Sequence, residues 1–284
     1  MSTIVGGIFT SHVPAIGAAI AKGVQQEPYW KPFFDGFPPV HRWLEQAKPD
    51  VAVVFYNDHG LNFFLDKMPT FAVGAAPRYE NADEGWGLPL FKPFEGAPDL
   101  SWHIIDHLVG SDFDPTTCQQ MLVDHSLAIP FELCWPEAAA WPVKLVPIAI
   151  NTVQHPLPSP RRCLALGRAV GAALESWDGP ERIVILGTGG LSHQLDGERA
   201  GFINTAYDRH CLDTLGPDPD ALARQDALDI IEQAGSQGVE LLNWIAARGA
   251  LTGRVEEVTR NYHVPISNTA AATMVLANEA PVPA

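Results

Sequence analysis

The sequence predicts an α/β fold: a single domain over residues 1–284, with a mostly parallel central sheet covered by helices on both faces. Three observations predict it. Short β-branched apolar runs recur at 4–9, 51–56 and 183–186, too continuous for strands with one wet face and suited to a sheet buried on both. Stretches with helical spacing alternate with these runs, as parallel crossover connections require. The 284 residues, 46% of them hydrophobic, suffice for one large core.

Taken in order, residues 3–9 read as the first strand and 16–23 as a short helix. A helix at 40–46 leads through Lys48-Pro49-Asp50 into the strand 51–56, and 71–74 is a shorter strand. Residues 75–98 are rich in Pro, Gly and acidic groups and read as a long loop, a length often tied to function. Residues 100–109 are helical, and 144–150 form a buried strand whose proline suggests a place near an edge. Residues 161–177 are helical, because Leu164, Leu166, Ala169, Val170 and Leu174 make one apolar stripe. The strand 182–187 follows, and then four helical stretches near 201–214, 219–233, 238–248 and 268–278. There is no internal repeat and no clean linker.

The formal charge of −15 argues against nucleic acid or an anionic membrane as a partner. Cys118, Cys134, Cys163 and Cys211 are scattered with no Cys-x-x-Cys pair, as expected of reduced thiols in a cytoplasmic protein. The N-terminus has no basic region followed by a long apolar one, so no signal peptide is expected. No apolar stretch reaches the roughly 18 residues of a membrane span.

Three of the apolar runs end in a histidine: Thr10-Ser11-His12, Tyr56-Asn57-Asp58-His59, and Gly187-Thr188-Gly189-Gly190-Leu191-Ser192-His193. Open α/β sheets bind ligands beyond the carboxyl ends of their strands, so three imidazoles delivered there predict a metal site. His12 alone reads as a structural or surface histidine, whereas a capped strand-to-loop turn explains Asn57 and Asp58 but not His59. Gly187–Gly190 is no dinucleotide fingerprint; these glycines read as letting the backbone approach a small ligand. His125, in Val123-Asp124-His125-Ser126, repeats the Asp-His pairing of Asp58-His59, although a solvated turn explains it equally well. A 2-His-1-carboxylate site needs an acidic ligand. Glu240 stands at the start of an apolar helix, but residue chemistry alone does not choose it over Glu181, Glu198 or Glu232. His41, His103, His107, His155 and His210 have no supporting neighbours, and His263 lies near a polar turn.

At these residues the chain resembles the LigB-type class III extradiol ring-cleavage dioxygenases, the family of the protocatechuate 4,5-dioxygenase β subunit. The motifs that carry the resemblance run along the chain: Thr10-Ser11-His12-Val13-Pro14, Tyr56-Asn57-Asp58-His59, Pro69-Thr70-Phe71-Ala72, Ala82-Asp83-Glu84-Gly85-Trp86-Gly87, Val123-Asp124-His125, Gly187 to Leu195, Gly238-Val239-Glu240-Leu241 and Ser267-Asn268-Thr269-Ala270. The resemblance implies an Fe(II) cofactor held by His12, His59 and Glu240, with His193 as acid–base catalyst and His125 acting in the substrate pocket. It implies Asn57, Ser267 and Asn268 as substrate-binding residues, the last two near a substrate carboxylate. The implied reaction is O2-dependent opening of protocatechuate to 4-carboxy-2-hydroxymuconate semialdehyde, in the degradation of aromatic compounds. Gallate and 3-O-methylgallate are alternative substrates. The chain ends at Ala284 with no room for a covering piece, so a separate small helical α subunit, in an α2β2 assembly, is expected. Ser126 departs from the family's pattern, which has Gly at that position. Two rivals remain: a His2Glu zinc hydrolase, which no His-Glu-x-x-His motif supports, and a non-catalytic module that keeps the fold.

Overall fold

In a computed structural model, which describes residues 2–85, 92–136 and 138–279, one eight-stranded sheet runs through the whole chain. The first half contributes β1 (Thr3–Thr10), α1 (Pro14–Lys22), α2 (Lys31–Phe34), α3 (Pro38–Ala47), β2 (Val51–Tyr56), β3 (Phe71–Gly74), β4 (Arg78–Asn81), β5 (Phe94–Glu95), α4 (Pro98–Gly110), β6 (Thr116–Cys118), β7 (Leu122–Val123) and α5 (His125–Cys134). The second half contributes β8 (Lys144–Ile150), α6 (Pro160–Ser176), β9 (Arg182–Thr188), α7 (Thr205–Leu215), α8 (Pro219–Ala223), α9 (Ala227–Ala234), α10 (Leu241–Gly249), β10 (Val255–Ile266) and β11 (Thr269–Asn278).

The strand order is β10-β11-β1-β9-β2-β8-β3-β6, and β4, β5 and β7 form a small separate sheet. The pairings β1–β9, β9–β2, β2–β8 and β3–β6 are parallel, while β10–β11, β11–β1 and β8–β3 are antiparallel. The expected mostly parallel sheet with helices on both faces is therefore what forms. The central strands are buried on both sides, and alternate residues serve different cores. Val53, Phe55, Ile183 and Ile185 pack with residues of α4, α6 and α10, whereas Ala52, Val54, Val184 and Leu186 pack with residues of α3 and α5. Helices α6 and α10 approach so closely that a methyl group on Gly167 would lie 1.9 Å from the Ala246 carbonyl oxygen.

Four expectations need correction. The segment 268–278 is the strand β11, not a helix, and the polar stretch before it is the strand β10. Ala270, Ala272 and Met274 face one core and Ala271 and Val275 the other, a period-two pattern. Alanine-rich sequence favours helix locally, but small side chains also suit a strand covered on both faces, and tertiary pairing decides. β8 is an interior strand despite Pro147. Its ladder to β3 stops at Val73↔Ile148, and Gly74 leaves room for the proline ring, which would lie 2.5 Å from any Cβ there. The stretch 219–233 is two helices, α8 and α9, divided by the Asp226 capping box. The loop read over 75–98 contains the short strands β4 and β5, and Trp86 and Gly87 of its motif lie outside the described residues. Among the described residues no helix is long and apolar enough to cross a membrane.

Candidate metal centre

β1, β9 and β2 are parallel neighbours, so the segments that follow them leave the sheet on one edge. His12 follows β1 and directly precedes Val13, the N-cap of α1, which begins at Pro14, where a missing N–H costs a helix nothing. After β2, the Asp58 carboxylate accepts the backbone N–H groups of Gly60, Leu61, Asn62 and Phe63 and ties the loop down, as Asp does in turns. His59 is thereby held at the turn's start. His125 is the first residue of α5, whose N-cap is Asp124. Glu240 closes a 3-10 turn, Gly238–Glu240, and leads into α10.

These side chains converge. The ring centroids of His12 and His59 lie 5.2 Å apart, those of His12 and His125 5.4 Å, and those of His59 and His125 4.1 Å. One ring nitrogen from each lies within 4.8 Å of those of the other two. Glu240 Oε1 stands 3.5 Å from His12 Nε2 and 3.7 Å from His59 Nε2. Each imidazole is gripped from behind at Nδ1: His12 by the Thr188 hydroxyl at 3.2 Å, His59 by Asp124 at 3.0 Å and His125 by Glu84 at 2.5 Å. That arrangement orients metal-ligating histidines, with Nε2 as the forward nitrogen. His12 Nε2 is fully buried with no hydrogen-bond partner among the described residues, a cost that a bound cation would remove. Two buried imidazoles, the half-buried one of His59 and a buried carboxylate sharing one space fit a divalent first-row metal.

Glu240 is itself held. Its Oε2 accepts the Gly190 N–H at 2.8 Å, and its Oε1 accepts from Asn57 Nδ2 at 3.2 Å. Asn57 is oriented in turn by Asn243, which donates to Asn57 Oδ1 and to the Thr188 carbonyl, both at 2.9 Å. Gly189, at φ +104°, has no Cβ because Glu240 Oε2 would lie 2.7 Å from one. The glycines after β9 thus admit the Glu240 side chain, where the sequence suggested a small ligand.

The electrostatics follow from burial and these contacts. Burial alone would raise Glu240, but His12 and His59 outweigh it and hold the carboxyl well below its ordinary range. Burial would lower His59, yet Asp124 and Glu240 raise it to about 10. Asp124 is lowered, its own burial overcome by the charge and hydrogen bond of His59. Burial lowers His12 against the pull of Glu240, and burial likewise lowers His193.

The cluster forms the floor of a cavity of about 890 Å³. Phe63, Phe64, Leu65, Met68, Val153 and Leu157 form apolar wall, and His193, Gln237, Ser267 and Thr269 add polar groups. Of the residues singled out from sequence, His12, Asn57, His59, His125, His193, Glu240 and Ser267 all line this cavity. Asn268, exposed in the β10–β11 turn, does not. His193 Nδ1 is buried and has no hydrogen-bond partner among the described residues.

Sequence reasoning missed two holding groups. Asp124 orients His59 and not its neighbour His125, and Glu84 holds His125. A signal existed for both, since each stands in a motif already singled out. His155, dismissed from sequence, also lines the cavity. The departure at Ser126 has a local use: its N–H and hydroxyl both donate to Asp124.

Fold and site together define an α/β protein with a histidine–carboxylate cluster, fit to hold a metal ion, at the carboxyl ends of its parallel strands. Residues 6–275 match the family described as the catalytic LigB subunit of aromatic ring-opening dioxygenase, and the chain belongs to that family. It is 36% identical over 197 residues to a gallate dioxygenase of Pseudomonas putida, covering 69% of this chain and 58% of that protein. It is 32% identical over 263 residues to a 2,3-dihydroxyphenylpropionate/2,3-dihydroxicinnamic acid 1,2-dioxygenase of Mycolicibacterium gilvum, covering 77% of this chain and 81% of that protein. The chain thus spans little more than half the length of the gallate enzyme. An uncharacterised protein of Escherichia coli K12 shares the fold, with a TM-score of 0.59 at 13% identity over 95% of this chain and 99% of that one.

Proposed function

We propose that this chain is the catalytic β subunit of an Fe(II)-dependent extradiol dioxygenase that opens protocatechuate between C4 and C5 with O2. One observation carries the reading: Glu240 Oε1 lies within 3.7 Å of the Nε2 atoms of both His12 and His59, while the Nδ1 atoms of both rings are held from outside. In this reading His12, His59 and Glu240 hold the iron and leave its other positions to the cavity. Bound iron supplies Lewis acidity towards the catechol oxygens and redox chemistry towards dioxygen.

The remaining work falls to side chains. Burial lowers His193 and the residue lines the cavity, so its imidazole can take a proton from a catechol hydroxyl and later return it. His125, which lines the same cavity, meets a substrate hydroxyl. Asn57 fixes Glu240 and borders the substrate, while Ser267, in the β10–β11 turn, receives the ring carboxylate. The apolar wall excludes water from the ring. Phe64, Leu65, Val153 and Leu195, which line the cavity, are each more than half exposed. This uncovered apolar mouth is the surface that the small helical α subunit covers in an α2β2 enzyme. The free cysteines, three of them buried, accord with a cytoplasmic setting.

Gallate is the second reading, favoured by the 36% identity to the gallate dioxygenase. Oxygen uptake by Fe(II)-loaded protein against protocatechuate, gallate and 3-O-methylgallate, with and without a co-expressed α subunit, tests both. One O2 consumed per ring opened, with protocatechuate preferred, is the expected result. A gallate preference replaces the substrate and keeps the chemistry. Zinc-dependent activity that persists without oxygen overturns the reading.

A further inference from the structure

We propose that Glu84 is a positioning residue for His125, which fixes the imidazole so that Nδ1 carries the proton and Nε2 presents a lone pair to the cavity. Both carboxylate oxygens are committed to this one residue. Oε1 accepts the His125 backbone N–H at 2.7 Å, and Oε2 meets Nδ1 at 2.5 Å. The pair is secluded, with side-chain exposures of 10% for Glu84 and 2% for His125.

The grip is built by chain geometry. β4 and β7 run parallel with Asn81 opposite Val123, and the Ala82 N–H bonds to the Val123 carbonyl. Beyond this ladder the two chains stay close enough for the Glu84 side chain to reach His125, the first residue of α5. Asp83 then accepts the Gly85 N–H and turns the chain away. Glu84 is not needed as a helix cap, because Asp124 already caps α5 through the Ser126 N–H. What Glu84 adds is control of the ring.

The chemistry follows from the donor inventory. A carboxylate only accepts, so a neutral His125 places its single N–H on Nδ1. Nε2, on the cavity side, is then an acceptor for a substrate hydroxyl. Glu84→Gln keeps the shape and reverses the logic. Its one oxygen must serve the backbone N–H, which cannot change, so its NH2 faces Nδ1. The ring proton then moves to Nε2.

Two measurements test this, and only the second rests on the proposed ring cleavage. In ¹⁵N-labelled, metal-free protein at pH 8, ring-nitrogen NMR reads the His125 tautomer directly, with its signals assigned by their loss in His125→Ala. Nδ1–H is expected in the wild type and Nε2–H in Glu84→Gln. Glu84→Asp, which keeps two acceptors, retains Nδ1–H and serves if Glu84→Gln fails to fold. A wild-type ring protonated at Nε2, or a tautomer unchanged by Glu84→Gln, overturns the proposal. With a catechol substrate, Glu84→Gln should lower kcat/KM about 10- to 100-fold at unchanged iron content, the range seen when outer partners of a site are removed. Added to His125→Ala, it should cost no more than about twofold, because the two act as one unit. A fully additive loss overturns the proposal. If the wild type opens no catechol, the ring-cleavage reading fails while the NMR result still decides the role of Glu84.

Discussion

Gly189→Ala puts the whole arrangement under load at one atom. The residue sits at φ +104°, where a side chain costs about 1–3 kcal/mol of backbone strain. The added Cβ would stand 2.7 Å from Glu240 Oε2 and 2.8 Å from Glu240 Cβ. Ordinary contact begins near 3.4 Å, so one side must give by about 0.7 Å, an overlap that typically costs a further 1–3 kcal/mol or so. The backbone cannot move away: the Gly189 N–H is bonded to the Thr10 carbonyl, and its own carbonyl accepts from Trp244 Nε1 at 2.9 Å. Glu240 must move instead. A misplacement near 1 Å in a catalytic constellation costs on the order of 10²-fold in rate. The variant should lose about 2–6 kcal/mol by urea unfolding, bind iron poorly and fall at least roughly 100-fold in oxygen uptake. Gly23→Ala, at φ +67° with nothing within 4 Å of its Cβ, is the control and should lose only about 1 kcal/mol. A Gly189→Ala protein as stable as that control and fully loaded with iron would refute the reasoning.

Other outcomes follow from the same geometry. His193→Ala should retain iron by elemental analysis and lose about 10²- to 10⁴-fold in turnover, the usual share of a general acid–base group. Gly167→Ala, far from the site, should destabilise by about 1–3 kcal/mol in urea titrations because the Ala246 carbonyl occupies the space a methyl needs. Burial pushes the Cys134 and Cys211 thiols up to about 12. They should resist iodoacetamide in the native state at pH 8. Because the unfolded thiols ionise first, their contribution to stability is complete below about pH 9 and declines as pH rises towards 12. A denaturation midpoint that does not fall over that range would contradict their burial.

Much of this was legible in the sequence because the central strands carry an unambiguous pattern. β1, β2 and β9 are continuous apolar runs ending in turn residues, and position beyond a parallel strand is enough to place His12, His59 and His193 on one rim. Glu240 needed more, since its choice over Glu181, Glu198 or Glu232 depended on family resemblance. The failures have local causes. β11 has helix-forming composition and becomes a strand only because β1 and β10 flank it. Asp124 stands next to His125 in sequence, but the helix turn sends its carboxylate to His59. Adjacent residues on a helix point apart, so side-chain partnership there is not readable from adjacency.

Iron content in two single variants tests the central assignment most directly. His12 and His59 can be completed either by Glu240 or by His125, whose ring also lies within reach. With Glu240 as the third ligand, Glu240→Ala purified with Fe(II) should hold almost no iron, while His125→Ala remains close to one iron per chain. Iron retained in Glu240→Ala and lost in His125→Ala would contradict the account.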